Sequence, residues 1–118
     1  MLSAQQMESL PDFFKEIPDP RRAQGRRHRL STILGIAAGA TLCGMRGYLA
    51  ISDWAKGLGQ MARRRFGCRR QKRRYIVPSL SIIRDVLIRV DPVHLDRALQ
   101  CWNQAYGQQD ESLAIDGK

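Results

Sequence analysis

From Ser31 to Met45 the chain runs for 15 residues without a single charge, flanked by Arg29-Leu30 and Arg46. A stretch of this kind has to leave water. A membrane span needs about 18 to 20 apolar residues, and this run is shorter and carries Ser31, Thr32 and Thr41. It also lies too far from the first residue, behind Asp and Glu side chains, to be a signal peptide. It therefore reads as a buried core helix over about Ser31–Cys43, with Leu30, Ile33, Leu34, Ala37 and Ala38 on one stripe at helical spacing. Gly35 and Gly39 lie one turn apart within it and allow a second helix to approach closely. Each costs up to about 1 kcal/mol relative to Ala, so close packing is the compensation to look for.

A core helix needs elements to cover it, and the remaining sequence supplies them. The opening residues to about Lys15 carry Leu10, Phe13 and Phe14 and read as a short helix, broken by Ile17-Pro18-Asp19-Pro20. Tyr48 to Leu58 shows Ile51, Trp54, Ala55 and Leu58 at i, i+3, i+4 and i+7, which makes Trp54 a core anchor. Gln60 to Phe66 reads as a short basic helix ending at Gly67, and Cys68 to Tyr75 as a loop dominated by charge. Ser79 caps a helix that turns Leu80, Ile83, Leu87 and Val90 inward and Arg84, Asp85 and Arg89 outward. Asp91-Pro92 opens another, with Leu95, Ala98, Leu99 and Trp102 as its stripe and Gly107 at its end. The expected fold is mainly α: a compact bundle of four to five helices.

The charge is as uneven as the hydrophobicity. Lys and Arg number 20 against 11 Asp and Glu, for a net charge of +9 and a pI near 10.3. Five of the 20 fall in one block (Arg21, Arg22, Arg26, Arg27, Arg29) and eight in a second (Arg63, Arg64, Arg65, Arg69, Arg70, Lys72, Arg73, Arg74). Blocks like these repel themselves unless an anion neutralises them, and they point to a polyanion, most often nucleic acid. Guanidinium groups pair bidentately with phosphate. If about six of them do so, log K falls with log salt at a slope near −5. Phe66 and Tyr75 bracket the second block and read as tethers to the core. His28, inside the first block, reads as a phosphate neighbour.

Phosphate contacts position a protein on a duplex without choosing a sequence. Groove contacts are expected from Ser79, Ser81 and Arg84 at the start of their helix, where recognition helices meet bases. Pairing that helix with the helix of Trp54 suggests a helix-turn-helix, although roughly twenty residues separate the two where that motif has a turn of three or four. A helix-turn-helix variant with a basic insertion and a plain bundle with a solvated Arg84 both remain open.

Other chemistries lack their signatures. There is no G-x-x-x-x-G-K-[ST] loop, G-x-S-x-G elbow or H-E-x-x-H pair. Cys43, Cys68 and Cys101 are odd in number and far apart, so a reduced, cytoplasmic protein without a zinc site is the simplest account. The last seven residues are different: Ser112-Leu113-Ala114-Ile115 suits a buried strand that delivers Asp116 to the turn at Gly117-Lys118. A metal-dependent centre draws on two or three converging carboxylates. The chain therefore reads as the front part of a longer enzyme, with residues from about Gln108 onward poorly ordered if it ends at Lys118.

Several motifs in order carry a resemblance. Ile17-Pro18-Asp19-Pro20-Arg21-Arg22, Arg26-Arg27-His28-Arg29-Leu30, the small-residue helix ending near Gly44, Tyr48-Leu49-Ala50-Ile51-Ser52-Asp53-Trp54-Ala55, Pro78-Ser79 through Asp91-Pro92, and Leu113-Ala114-Ile115-Asp116-Gly117-Lys118 resemble the N-terminal region of bacterial insertion-sequence DDE transposases of the H-repeat-associated group. The likeness covers about Leu10 to Lys118.

The resemblance implies that Asp116 matches the first of three acidic metal ligands, at the end of the first strand of an RNase H-like catalytic domain. Divalent metal, Mg²⁺, is implied for full-length relatives and no cofactor for this chain, which lacks the second Asp and the Glu and is expected to be inactive alone. Double-stranded DNA at the element ends is the implied partner, with no membrane contact, and the chain is expected to associate with itself or with intact transposase. The expected organisation is a short helix and basic loop over 1–29, a helical DNA-binding domain over 30–107, and a linker with the first catalytic strand over 108–118. The alternative is a free-standing basic DNA-binding protein acting as a repressor or inhibitor of an intact transposase.

Overall fold

The uncharged run forms the axis of the molecule. A computed structural model describes residues 2–22 and 26–107, and in it Leu30–Leu42 form a helix, α2, in which every residue from 32 to 40 is buried. The other elements are arranged around it. They are α1 (Ala4–Phe13), α3 (Tyr48–Lys56), α4 (Gln60–Arg65), β1 (Arg69–Gln71), β2 (Arg74–Ile76), α5 (Leu80–Arg89) and α6 (Pro92–Trp102), which continues as a single π-helical turn over Asn103–Gly107.

The two helix glycines do what their spacing implies. A Cβ on Gly35 would stand 3.1 Å from the Pro11 ring of α1. One on Gly39 would stand 3.0 to 3.2 Å from Leu2, Phe66 and Trp54. Pro11 of α1, Trp54 of α3 and Phe66 just past α4 thus approach α2 so closely that a side chain at either glycine would push them back by a few tenths of an ångström. At its C-terminal end Gly44 takes φ +92, and the Met45 amide donates to the Ala40 carbonyl at 2.9 Å while the Gly44 amide donates to Thr41 at 3.0 Å. This is a Schellman closure. α4 ends the same way at Gly67, φ +85, with the Cys68 amide on the Arg63 carbonyl at 3.0 Å.

Caps fix the remaining starts. Ser3 and Gln6 form a reciprocal capping box on α1 (3.1 and 2.8 Å). Ser79 accepts from the Ile82 amide at 3.4 Å, and Asp91 from Val93 at 2.9 Å with Pro92 in the first turn. The far end of the chain returns to the first helix. Trp102 is 1% exposed, donates from Nε1 to Ser9 Oγ at 2.8 Å, and stacks on Tyr106, whose ring meets Phe13 edge-on.

One expectation is corrected. Arg69–Ile76, part of what reads as a charged loop, is an antiparallel hairpin in the register Arg69↔Ile76, Arg70↔Tyr75, Gln71↔Arg74. Its strands lack the alternation of apolar and polar residues that marks a hairpin, and its tip is Lys72-Arg73 where Asn-Gly is the usual signal. The hairpin is held from outside, by α4. Leu113–Ile115, Asp116, the metal implied for it and the expected disorder of the tail all lie outside the described residues.

Candidate nucleic-acid interface

The hairpin is the most cation-rich element, and its support begins with one amide. In the register above, Tyr75 faces Arg70 across the ladder and turns its own N–H and C=O toward the outer edge. Gln60 meets both: its Oε1 accepts from the Tyr75 amide at 2.6 Å, and its Nε2 donates to the Tyr75 carbonyl at 3.2 Å. Arg63, one turn on, donates to the carbonyls of Leu58 (2.8 Å), Tyr75 (3.0 Å) and Lys56 (3.0 Å). A single guanidinium thereby ties the end of α3, the α3–α4 turn and β2 together. Arg63 is a fastener, and its donors are committed within the protein.

Five others of the second block point outward, while Arg65 and Arg69 are half-buried. Arg64, Arg70, Lys72, Arg73 and Arg74 are exposed, and none has an acidic partner among the described residues. The Arg70 guanidinium lies 6.0 Å over the Tyr75 ring, the geometry of a cation–π contact that holds its head group in place. Arg65, half-buried, reaches the exposed Glu8 of α1 at 3.8 Å, a weak pair near the surface. At the tip, Lys72 and Arg73 take φ 50 and 66. Both angles are left-handed, as a two-residue type I′ turn demands, and for residues with a Cβ this costs about 1–2 kcal/mol each.

The first block divides the same way. Arg21 is buried, with Nε and Nη2 on the two oxygens of Asp19 (3.0 and 2.9 Å) and Nη2 also on the His28 carbonyl (2.8 Å). Arg26 donates to the carbonyls of Arg21 (2.9 Å) and Asp19 (3.2 Å). These two arginines close the loop. Burial alone would raise the Asp19 carboxyl, but hydrogen bonds from the Arg21 side chain and backbone, with the charges of Arg21 and Arg26, hold it below its ordinary value. Arg22, Arg27 and Arg29 remain exposed without an acidic partner among the described residues.

His28 departs from its expected place beside phosphate. It is buried, its Nδ1 has no hydrogen-bond partner, and burial followed by the charges of Arg69 and Arg21 lowers its pKa, which favours the neutral ring. That same proximity to Arg69 shows where the two blocks meet. Thr32, in the first turn of α2, donates to the Gly67 carbonyl at 3.0 Å. The root of the hairpin therefore sits against the helix that the first basic loop introduces.

Ser79 caps α5, and Ser81 and Arg84 lie on it; the helix follows β2 after only Val77, the buried Pro78 and Ser79. Ser81 and Arg84 are exposed and line an open groove of about 540 Å³ with Tyr48, Leu49, Leu80, Asp85 and Ile88. α3 and α5 do pack together, but α4 and the whole hairpin lie between them in sequence. Sequence reasoning missed Gln60 and the inward turn of Arg21 and Arg63. For Arg21 a signal existed: an Asp two residues earlier, between two prolines. For Gln60 none did.

Comparison with known proteins gives a consistent result. The model of the DDE_Tnp_1-associated family matches residues 11–103. An uncharacterized protein in the dhlA 3′ region of Xanthobacter autotrophicus is 35% identical over 112 residues, covering 90% of this chain and 36% of that protein. The chain thus spans about a third of the length of this curated relative. No solved structure matches.

Proposed function

This chain belongs to the DDE_Tnp_1-associated family, N-terminal regions associated with DDE transposases, and from that premise we propose that it binds duplex DNA at the ends of a mobile element. One observation carries the reading. Eight exposed cations (Arg22, Arg27, Arg29, Arg64, Arg70, Lys72, Arg73 and Arg74) have no acidic counter-group among the described residues, while the cations beside them are spent on fixing the backbone from which these project. Self-repulsion of this kind is relieved by a polyanion. The division of labour is what a phosphate-gripping surface needs: a few buried guanidinium groups set the frame, and the exposed ones meet phosphate. No helix among the described residues is long and apolar enough to cross a membrane.

The test is the salt dependence of binding to a labelled 25-base-pair duplex. About six phosphate contacts give a slope of log K against log salt near −5, and replacing Arg70, Lys72, Arg73 and Arg74 together by Ala makes it shallower by about 3 to 4. A protein that ignores the duplex at 50 mM salt, or that prefers structured RNA at matched salt, refutes the proposal.

A further inference from the structure

We propose that the hairpin tip, Lys72-Arg73, reads a narrow, A·T-rich minor groove, an inference that rests on the DNA-binding reading above. Five described residues adopt a left-handed backbone. Three of them are Gly44, Gly47 and Gly67, and the other two are Lys72 and Arg73. Elsewhere the chain meets this requirement with the residue that adopts it without strain. At the tip it keeps two long cations in a conformation that Asn-Gly would relax.

Among the described residues nothing bonds those side chains. Both are exposed, and neither has an acidic partner among the described residues, whereas Arg21, Arg26 and Arg63 each bond the backbone. Strain that no internal contact offsets marks a place where the side chains act on something outside.

Shape narrows the choice of groove. Each strand is three residues long, so the ribbon reaches roughly 10 Å beyond its root. It ends in a two-residue turn between paired strands roughly 5 Å apart. Side chains at such a point fit a minor groove about 6 Å wide, and narrow A·T-rich grooves concentrate the negative potential that draws Arg and Lys inward. The start of α5, with the exposed Ser81 and Arg84, follows the root of the ribbon after Val77-Pro78-Ser79. A ribbon in the minor groove leaves that helix end to face the adjoining major groove.

The experiment measures Kd for two 25-base-pair duplexes with identical ends, one centred on an A-tract and one on G·C pairs, using the full chain and two double variants. The wild type is expected to favour the A-tract by about tenfold. Lys72→Asn/Arg73→Gly should bring that preference to within about twofold while raising Tm by about 5 °C, because the turn relaxes. Lys72→Gln/Arg73→Gln should lose the preference without the rise in Tm. Equal affinity of the wild type for both duplexes, equal losses on both in the variants, or a lower Tm with Asn-Gly overturns the inference and leaves general duplex binding standing. Wild-type protein that binds neither duplex in dilute salt removes the DNA-binding reading itself.

Discussion

α2 and the hairpin are held by opposite means. α2 is enclosed on all sides, and its position follows from the apolar groups pressed against it, down to two glycines where neighbours approach within contact distance. The hairpin has no core. It is tied to α4 by one amide and one guanidinium, Tyr75 rests against the edge of the core, and most of its exposed side chains are cationic. The first region is stable because it excludes water, through many small contributions. The second is defined by a few directional bonds, so losing one changes its geometry. Rigidity without charge and charge on a slender mount are separate tasks, and the fold assigns them to separate segments.

Trp102→Ala attacks the enclosed region where it closes on itself. It should cost about 3–5 kcal/mol through the cavity and the lost bond to Ser9, seen as a fall in the denaturation midpoint. At temperatures where the variant stays folded, the salt slope of DNA binding should not change. A changed slope would mean that the two regions are coupled more tightly than their contacts imply.

Arg63→Ala attacks the mount. The loss of bonds to three carbonyls should cost about 1.5–3 kcal/mol. Unlike the Trp102 change, it should also weaken DNA binding, since the hairpin is released from α4. Lys at this position should not rescue it, because an ammonium cannot span three carbonyls as a planar fork does. Full rescue by Lys would show that charge alone is needed there.

The smallest effects come with acid, and their signs differ from those of a solvated surface. His28 is held below its ordinary value of 6.5, so protonation favours the unfolded chain. Stability is complete above pH 6.5 and falls as the pH drops from there toward the lowered folded value. Asp19 is also lowered, from 3.8. Its pairing stabilises fully above pH 3.8 and is lost as the pH falls through the depressed folded value. His28→Gln should remove the upper phase of an acid titration followed by circular dichroism, and Asp19→Asn the lower. A single phase unchanged by either substitution would contradict both assignments.

Sequence alone revealed the enclosed region in detail. Periodicity located α2, α3, α5 and α6, Ser79 and Asp91 appeared as caps, and Gly35 and Gly39 as points of close approach, because helix signals are local and repeat every turn. The basic blocks were visible too, and with them the expectation of a polyanionic partner. Which arginines face outward was not legible. Arg21 and Arg63 look like their neighbours until Asp19, His28 and Tyr75 are placed around them, and those contacts are set by tertiary structure. The hairpin was hidden for the same reason: its strands carry no apolar alternation, and its support comes from Gln60, whose role depends on the chain passing nearby.

Gln60 has one more consequence. An open strand edge invites a second polypeptide to add itself by backbone pairing, the first step toward aggregation. With its side-chain amide on Tyr75, this residue stands where an intruding strand would bind, and Arg63 takes the same carbonyl from another side. A short, highly charged ribbon is thereby shielded from strand pairing along this edge.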